Sequence, residues 1–443
     1  MRPKRKLIQL TRVFSIAIVI FSVYTRIYSA NTCKHSLQLK NPLSQCFNLG
    51  FYMPSTDQYE KQTTNANQVN TKPPLIWLNF LVFFITFMVA AIGVPIYAYF
   101  EGFSWSMIIA AIIALCFCEL SITAGYHRLW SHKAYEANSV ARIFYAIGGA
   151  FAVQNSALHW CSDHRVHHRY VDQNDKDPYS AKMGFWYSHI GWMLREYQAH
   201  RYTNYDNVID MQKEKIVMWQ HKHYLTLVLL TNLGLPILVG FLLGDIWGSL
   251  LLVGFMRLVV SHHLTFCINS LAHIWGTQPY NDKNTARDNP IVALLTFGEG
   301  YHNFHHAFQY DYRNAIKWWQ FDPTKWLIKS MSWLGLAKNL KKIPEEKIAK
   351  AIATQELTTT KNKLMTLNLP NKEEALVAIQ TEYDLMLTKM GEFYTLKKEW
   401  VEATKSQIIE NVERSLIKKR YLELKNNWAE HQKDWQFAIH QYA

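Results

Sequence analysis

The sequence predicts an all-α integral membrane protein: four transmembrane helices paired as two hairpins, a cytosolic helical cap, and a C-terminal amphipathic helical extension. Three observations predict it. Four apolar runs, about Leu75–Phe100, Trp105–Ala124, Leu225–Leu243 and Trp247–Asn269, each approach the ~20 residues that a helix needs to cross a bilayer. Very short turns, Glu101-Gly102 and Gly244-Asp245, join the first run to the second and the third to the fourth. The long loop from Thr123 to Lys222 is rich in basic residues, among them Arg128, Lys133, Arg142, Arg165, Arg169 and Lys176, whereas the two turns carry none. Basic loops stay on the cytosolic side, so the long loop and everything after Asn269 are expected there.

Three regions follow along the 443 residues. Residues 1–72 hold Lys4-Arg5-Lys6, an apolar stretch Val13–Tyr24 like a signal peptide or short anchor, and a polar linker after Met53, which is an alternative start that would make residues 1–52 dispensable. Residues 73–340 contain the four runs. Residues 341–443 are rich in Lys, Glu, Leu and Ala, and read as one or two long amphipathic helices from about Asn371 to Trp435, a solvated hairpin. The net charge of +13 suits nucleic acid, a membrane surface or an acidic ligand. The apolar blocks decide for the membrane, and no nucleic-acid partner is expected. The six cysteines form neither a CxxC pair nor a disulfide framework, and Cys116 and Cys118 read as core residues.

The chemistry lies in the histidines. His127 and His132 form an H-x-x-x-x-H after the second run; His164, His167 and His168 form an H-x-x-H-H; His302, His305 and His306 form another, after Gly298-Glu-Gly-Tyr301. Composition alone gives ~0.04 such H-x-x-H-H runs by chance. On a helix, residues three and four apart share a face. The first and last rings of each run can therefore point at one site and the middle ring at a neighbouring one, which suits two metals a few ångströms apart. Neutral imidazole serves iron, zinc and copper. Asp163, Asp177 and Glu299 stand near enough in sequence to orient such ligands. His159, His189, His200, His221, His223, His262 and His263 fall outside these runs and read as hydrogen-bonded structural residues.

These motifs, with Asn269-Ser-Leu-Ala-His273 and Gly298-Glu-Gly-Tyr-His-Asn-Phe-His-His306, resemble those of the membrane fatty acyl-CoA desaturase family, of the stearoyl-CoA delta-9 kind in its bacterial form, over residues ~74–336. The resemblance implies a di-iron centre in the cytosolic cap. It gives one iron His127, His132, His164, His168 and His305, and the other His167, His273, His302 and His306, with Asn269 reaching the second through a water. It places Gln154, Trp160, Thr265 and Phe266 along an acyl tunnel, and Asn79, Asn155, Asp163 and Arg195 at the thioester head group. Phe266 stands where the family commonly has tryptophan, and Ser162 where a basic residue usually precedes the aspartate, which opens the substrate class to acyl-lipids or carrier-bound chains.

The implied reaction is O2-dependent insertion of a cis double bond into a saturated long-chain acyl-CoA. Its electrons come from an external carrier and a separate reductase, because the chain has no dinucleotide fingerprint and no CxxCH haem motif. A membrane hydroxylase with a similar histidine shell is the rival enzyme. A metal transporter fits less well: transporters hold ionisable ligands near the bilayer midplane, whereas these clusters flank the apolar runs.

Overall fold

A computed structural model describes residues 72–367, 370–405 and 411–441. The signal-like stretch, Met53, Cys33 and Cys46 lie outside the described residues. Residue contacts divide the described residues into two compact units, one of residues 72–84 with Met193–Tyr197 and the other from Ile85 to Trp192 and onward from Gln198.

Among the described residues, four helices are long and apolar enough to span a bilayer. The first, α1 (Trp77–Phe100), and the second, α2 (Trp105–Ser131), are joined by a turn in which Gly102 takes φ +73°. Ser104 then starts α2 by accepting a hydrogen bond from the Met107 N–H at 3.2 Å, the usual N-cap device. Beyond α2 come the strand pair's first member β1 (Glu136–Ala137), α3 (Ser139–Phe151), α4 (Ala157–Tyr170) and α5 (Lys215–Lys222). The second hairpin is α6 (Tyr224–Leu243) and α7 (Ile246–Ile274). Its turn uses Gly244 at φ +76°, and Asp245 accepts from both the Gly248 N–H and the Tyr97 hydroxyl.

Two prolines inside spans have a structural answer. Pro95 in α1 and Pro236 in α6 each follow a π-helical turn, Val89–Gly93 and Leu230–Gly234. A proline lacks the N–H and clashes with the carbonyl a turn earlier, and the wider π turn relieves that conflict without ending the helix.

Both inner spans outrun the apolar sequence. The expected ends were Ala124 and Asn269, where hydropathy falls; α2 continues through a π-helical turn, Ser121–Ser131, and α7 reaches Ile274. Every residue of that π turn is buried, and Thr123, Tyr126, His127 and Arg128 find polar partners within the protein rather than in lipid. The first histidine cluster is therefore largely part of α2, not a loop behind it.

The cap is built on this extension. Helix α3 lies against the end of α2, sharing a core of Cys118, Ile122, Tyr126, Tyr145, Ala146 and Phe151. The Tyr145 hydroxyl, 3.0 Å from Met331 Sδ, ties α3 to α10 (Pro323–Trp333), which follows α8 (Pro290–Leu295) and α9 (His302–Ala307). β2 (Ala337–Lys338) then pairs antiparallel with β1, Ala137 opposite Ala337. Three helices end the chain, α11 (Glu345–Thr366), α12 (Lys372–Lys405) and α13 (Asn411–Gln441), around a separate apolar core that includes Leu364, Ile379, Met386, Met390 and Trp435. The expected hairpin is thus joined by a third helix. The buried stripe of α11, Ile348, Ala353, Leu357 and Leu364, is diluted by Thr and Lys, which hid its period.

Candidate metal centre

Four elements deliver the histidines. The π turn of α2 carries His127, with His132 one residue beyond its end. Helix α4 carries His164, His167 and His168 on its last two turns; α7 ends with His273; α9 carries His302, His305 and His306. The Gly-Glu-Gly turn before α9 exists because the chain passes close to α8: a Cβ on Gly300 would lie 2.1 Å from the Ala293 nitrogen, and Gly298 takes φ +100°. This close passage turns Glu299 into the interior.

The ligand-capable nitrogens converge in two groups, each within 4.8 Å: His127, His132, His164, His168 and His305, and His167, His273, His302 and His306. These are the two sets into which the family resemblance divides the nine. In each H-x-x-H-H run the first and last rings share a group and the middle ring joins the other. The rings meet through Nε2. In the larger group His127 and His305 approach to 3.0 Å, His132 and His164 to 2.9 Å, and His168 and His305 to 2.9 Å. In the smaller, His273 and His302 are 3.1 Å apart, His302 and His306 3.1 Å, and His167 and His306 3.4 Å. The groups adjoin, with the His168 and His306 rings stacked at 4.3 Å.

A transition metal fits this arrangement. Donors at right angles around an ion with ~2.1 Å bonds lie ~3.0 Å apart, the spacing seen between these nitrogens. Six of the imidazoles outside the spans are also kept neutral. Burial, then repulsion from neighbouring histidines, pushes His132, His164, His168, His302, His305 and His306 well below the ordinary 6.5.

Acceptors behind the rings set their direction. Glu299 Oε2 lies 2.9 Å from His127 Nδ1 and Asp177 Oδ1 lies 2.8 Å from His167 Nδ1. The Tyr179 hydroxyl is 3.2 Å from His164 Nδ1, and the Thr285 hydroxyl 2.8 Å from His273 Nδ1. Burial alone would raise the Glu299 carboxyl, but His127 and Arg128 outweigh it and hold it at about 2.

The fatty acid desaturase family model matches residues 103–332, which include all nine histidines. The chain belongs to the fatty acid desaturase family. It is 44% identical over 301 residues to acyl-CoA desaturase 1 of Saccharomyces cerevisiae, covering 66% of this chain and 57% of that one. It is 45% identical over 283 residues to a probable acyl-CoA desaturase of Schizosaccharomyces pombe, covering 64% and 58%. It is 40% identical over 235 residues to stearoyl-CoA desaturase 5 of Bos taurus, covering 52% and 69%. The match spans less than two thirds of the two yeast proteins' length. All three come from fungi or an animal, so the bacterial qualifier finds no support among them.

This family member brings several of the tunnel and head-group candidates into definite places. Gln154 donates to the Thr265 hydroxyl at 2.8 Å, across 111 residues of sequence. It sits between Val153 and Asn155, both in the left-handed backbone region at φ +52° and +70°, a conformation uncommon for residues with a Cβ. Asn155 is exposed, and its carbonyl accepts from the Tyr126 hydroxyl at 3.3 Å. Trp160 stacks on His164 at 4.8 Å. Phe266 is buried against His262 and His189. Asn269 lies one turn before His273 and is half-buried. Asn79 and Arg195 belong to the smaller unit, where they donate to the Met193 and Pro73 carbonyls at 2.8 and 2.6 Å.

Asp163 does not orient a ligand of either group. Its carboxylate is gripped by both arms of Arg201, at 2.7 and 2.9 Å, with His159 at 3.4 Å. Five of the seven histidines outside the motifs have hydrogen-bond partners: His159 with the Tyr205 hydroxyl, His221 with Ser156, His262 with the Ala152 carbonyl, and His189 with both Ser270 and His263.

Arg201, Arg128, Thr285, Asp172 and Tyr179 were not singled out in the sequence. Arg128 had a signal, a charge beside a histidine at the end of a span. The others carried none, since their partners are distant in sequence.

Proposed function

We propose that this integral membrane protein is an O2-dependent desaturase that places a cis double bond, at the delta-9 position, in a saturated long-chain fatty acyl-CoA. The convergence of nine histidines into two adjoining groups carries the reading. The acyl-CoA and stearoyl-CoA names of the relatives supply the substrate class. One related protein, 34% identical, is an acyl-CoA delta-11 desaturase of Trichoplusia ni, so the carbon attacked is the finer part of the proposal.

A pair of irons held by the two groups would supply the O2-derived oxidant that an unactivated C–H bond requires. The protein's own residues do the rest. Nine imidazoles present their ring nitrogens to the two groups, and Glu299 and Asp177 fix two of those rings through Nδ1. Trp160, stacked on His164, puts an apolar wall beside the larger group, and Gln154 with Thr265 is assigned to the tunnel that measures the chain. Asn269 is assigned to the smaller group through a water. Asn79, Asn155, Asp163 and Arg195 are assigned to the head group.

Removal of two hydrogens from the acyl chain accounts for two of the four electrons that reduce O2 to water. The other two would come from a separate reductase and carrier docking on the cytosolic side, the side that the basic loop Thr123–Lys222 favours for the centre.

The test is expression of the full chain in a host unable to make unsaturated fatty acids, with double-bond positions read by mass spectrometry. A delta-9 product is expected, and none from a His305→Ala chain inserted in the membrane as usual. Hydroxylated acyl chains instead of olefins would overturn the proposal.

A further inference from the structure

Thr285 and Asp172 lie outside every histidine motif, yet together they determine where His273 carries its proton. The Thr285 N–H donates to Asp172 Oδ2 at 2.7 Å, and the Thr285 hydroxyl lies 2.7 Å from Asp172 Oδ1. An ionised carboxylate only accepts, so the hydroxyl proton is committed to Asp172. The same oxygen is 2.8 Å from His273 Nδ1. With its proton spent it can only accept, which fixes the proton of His273 on Nδ1. The Nε2 lone pair is then free, facing His302 Nε2 at 3.1 Å.

Asp172 is itself held in place. It adopts φ +67°, a left-handed backbone that aspartate tolerates better than most, and its N–H donates to Asp177 Oδ2 at 3.0 Å. Asp177 Oδ1 in turn faces His167 Nδ1 at 2.8 Å. One turn after α4 therefore supports two rings of the four-histidine group, His167 directly and His273 through Thr285. His302 Nδ1, by contrast, is buried without a hydrogen-bond partner, so the support seen for this group falls on His167 and His273.

We propose that Asp172, acting through Thr285, is a positioning residue that fixes the tautomer of His273 and thereby sets the metal affinity of the four-histidine group. The inference rests on the metal reading given above. Metal content of the purified full-length chain, by elemental mass spectrometry, tests it together with thermal unfolding. The wild type and Thr285→Ser, which keeps the hydroxyl, should hold about two irons, and Thr285→Val and Asp172→Asn about one, with affinity for the second weakened by ~10–100-fold. A purely structural role would lower the unfolding temperature and release both irons together, and that result overturns the proposal. Full iron content at wild-type affinity in Thr285→Val also overturns it, while leaving the metal reading intact. A wild type devoid of iron overturns the metal reading itself. Should Thr285→Val not fold, the near-isosteric Asp172→Asn decides by the same measurement.

Discussion

Glu299 Oε2 stands 2.9 Å from His127 Nδ1, and the other oxygen of the same buried carboxylate stands 2.9 Å from Arg128. Neighbouring residues of one helix are thus bound by one side chain that arrives from 171 positions away. Arg128 also reaches Asp322 at 3.0 Å and the Tyr312 carbonyl at 2.9 Å, and Asn314 donates to Glu299. The network is fully buried and closes the cap over the end of α2.

Glu299→Gln keeps the shape and removes the charge. Losing one partner of a buried ion pair costs about 3–5 kcal/mol, and losing a carboxylate behind a ligand weakens metal affinity ~10–100-fold. Both a lower unfolding temperature and a loss of iron from the five-histidine group are expected. Elemental analysis and thermal unfolding of the same sample would show them, and unchanged values in both would disprove the role.

Arg201→Ala should leave Asp163 buried with only His159, at 3.4 Å, as a partner. Burial raises that carboxyl, and only Arg201 with His159 brings it well below the ordinary aspartate value. The expected loss is about 3–5 kcal/mol. The double variant Asp163→Asn/Arg201→Ala should recover part of it, and equal losses in single and double variants would show that the pair is not the cause.

Gly149→Ala probes the packing of α3 on α2. The added Cβ would lie 2.3 Å from the Tyr126 ring, whose hydroxyl is engaged by Gln220 and by the Asn155 carbonyl. Overpacking of this kind costs about 1–3 kcal/mol. Because Tyr126 adjoins His127, activity should fall beyond what the lowered stability explains, which turnover measured well below the unfolding temperature can separate.

The acid limit of the protein should be set by its histidines. Burial and mutual repulsion hold six of them well below 6.5. Below that pH the unfolded chain binds more protons than the folded one, so stability rises with pH in this window. The contribution is fully present above 6.5 and is lost as pH falls toward the folded values. Metal-stripped protein should therefore unfold at lower temperature as pH drops below about 6.5. Loaded protein should keep its iron to a more acid pH than free imidazole would allow, which dialysis at stepped pH with iron assay can follow.

The sequence by itself determined the four spans, the two tight turns and the histidine runs. It also determined how each H-x-x-H-H run divides its rings, because helical periodicity places residues three and four apart on one face. Those are local properties, written in neighbouring residues. Tertiary structure alone decided that α2 and α7 continue past their apolar runs, since polar residues remain helical there only where other elements satisfy them. It also decided that Glu299, Asp177 and Thr285 stand behind ligating rings while Asp163 turns to Arg201. Chain segments more than a hundred residues apart meet at this centre, and nothing in the local order of residues records which polar atoms will face one another once water is excluded.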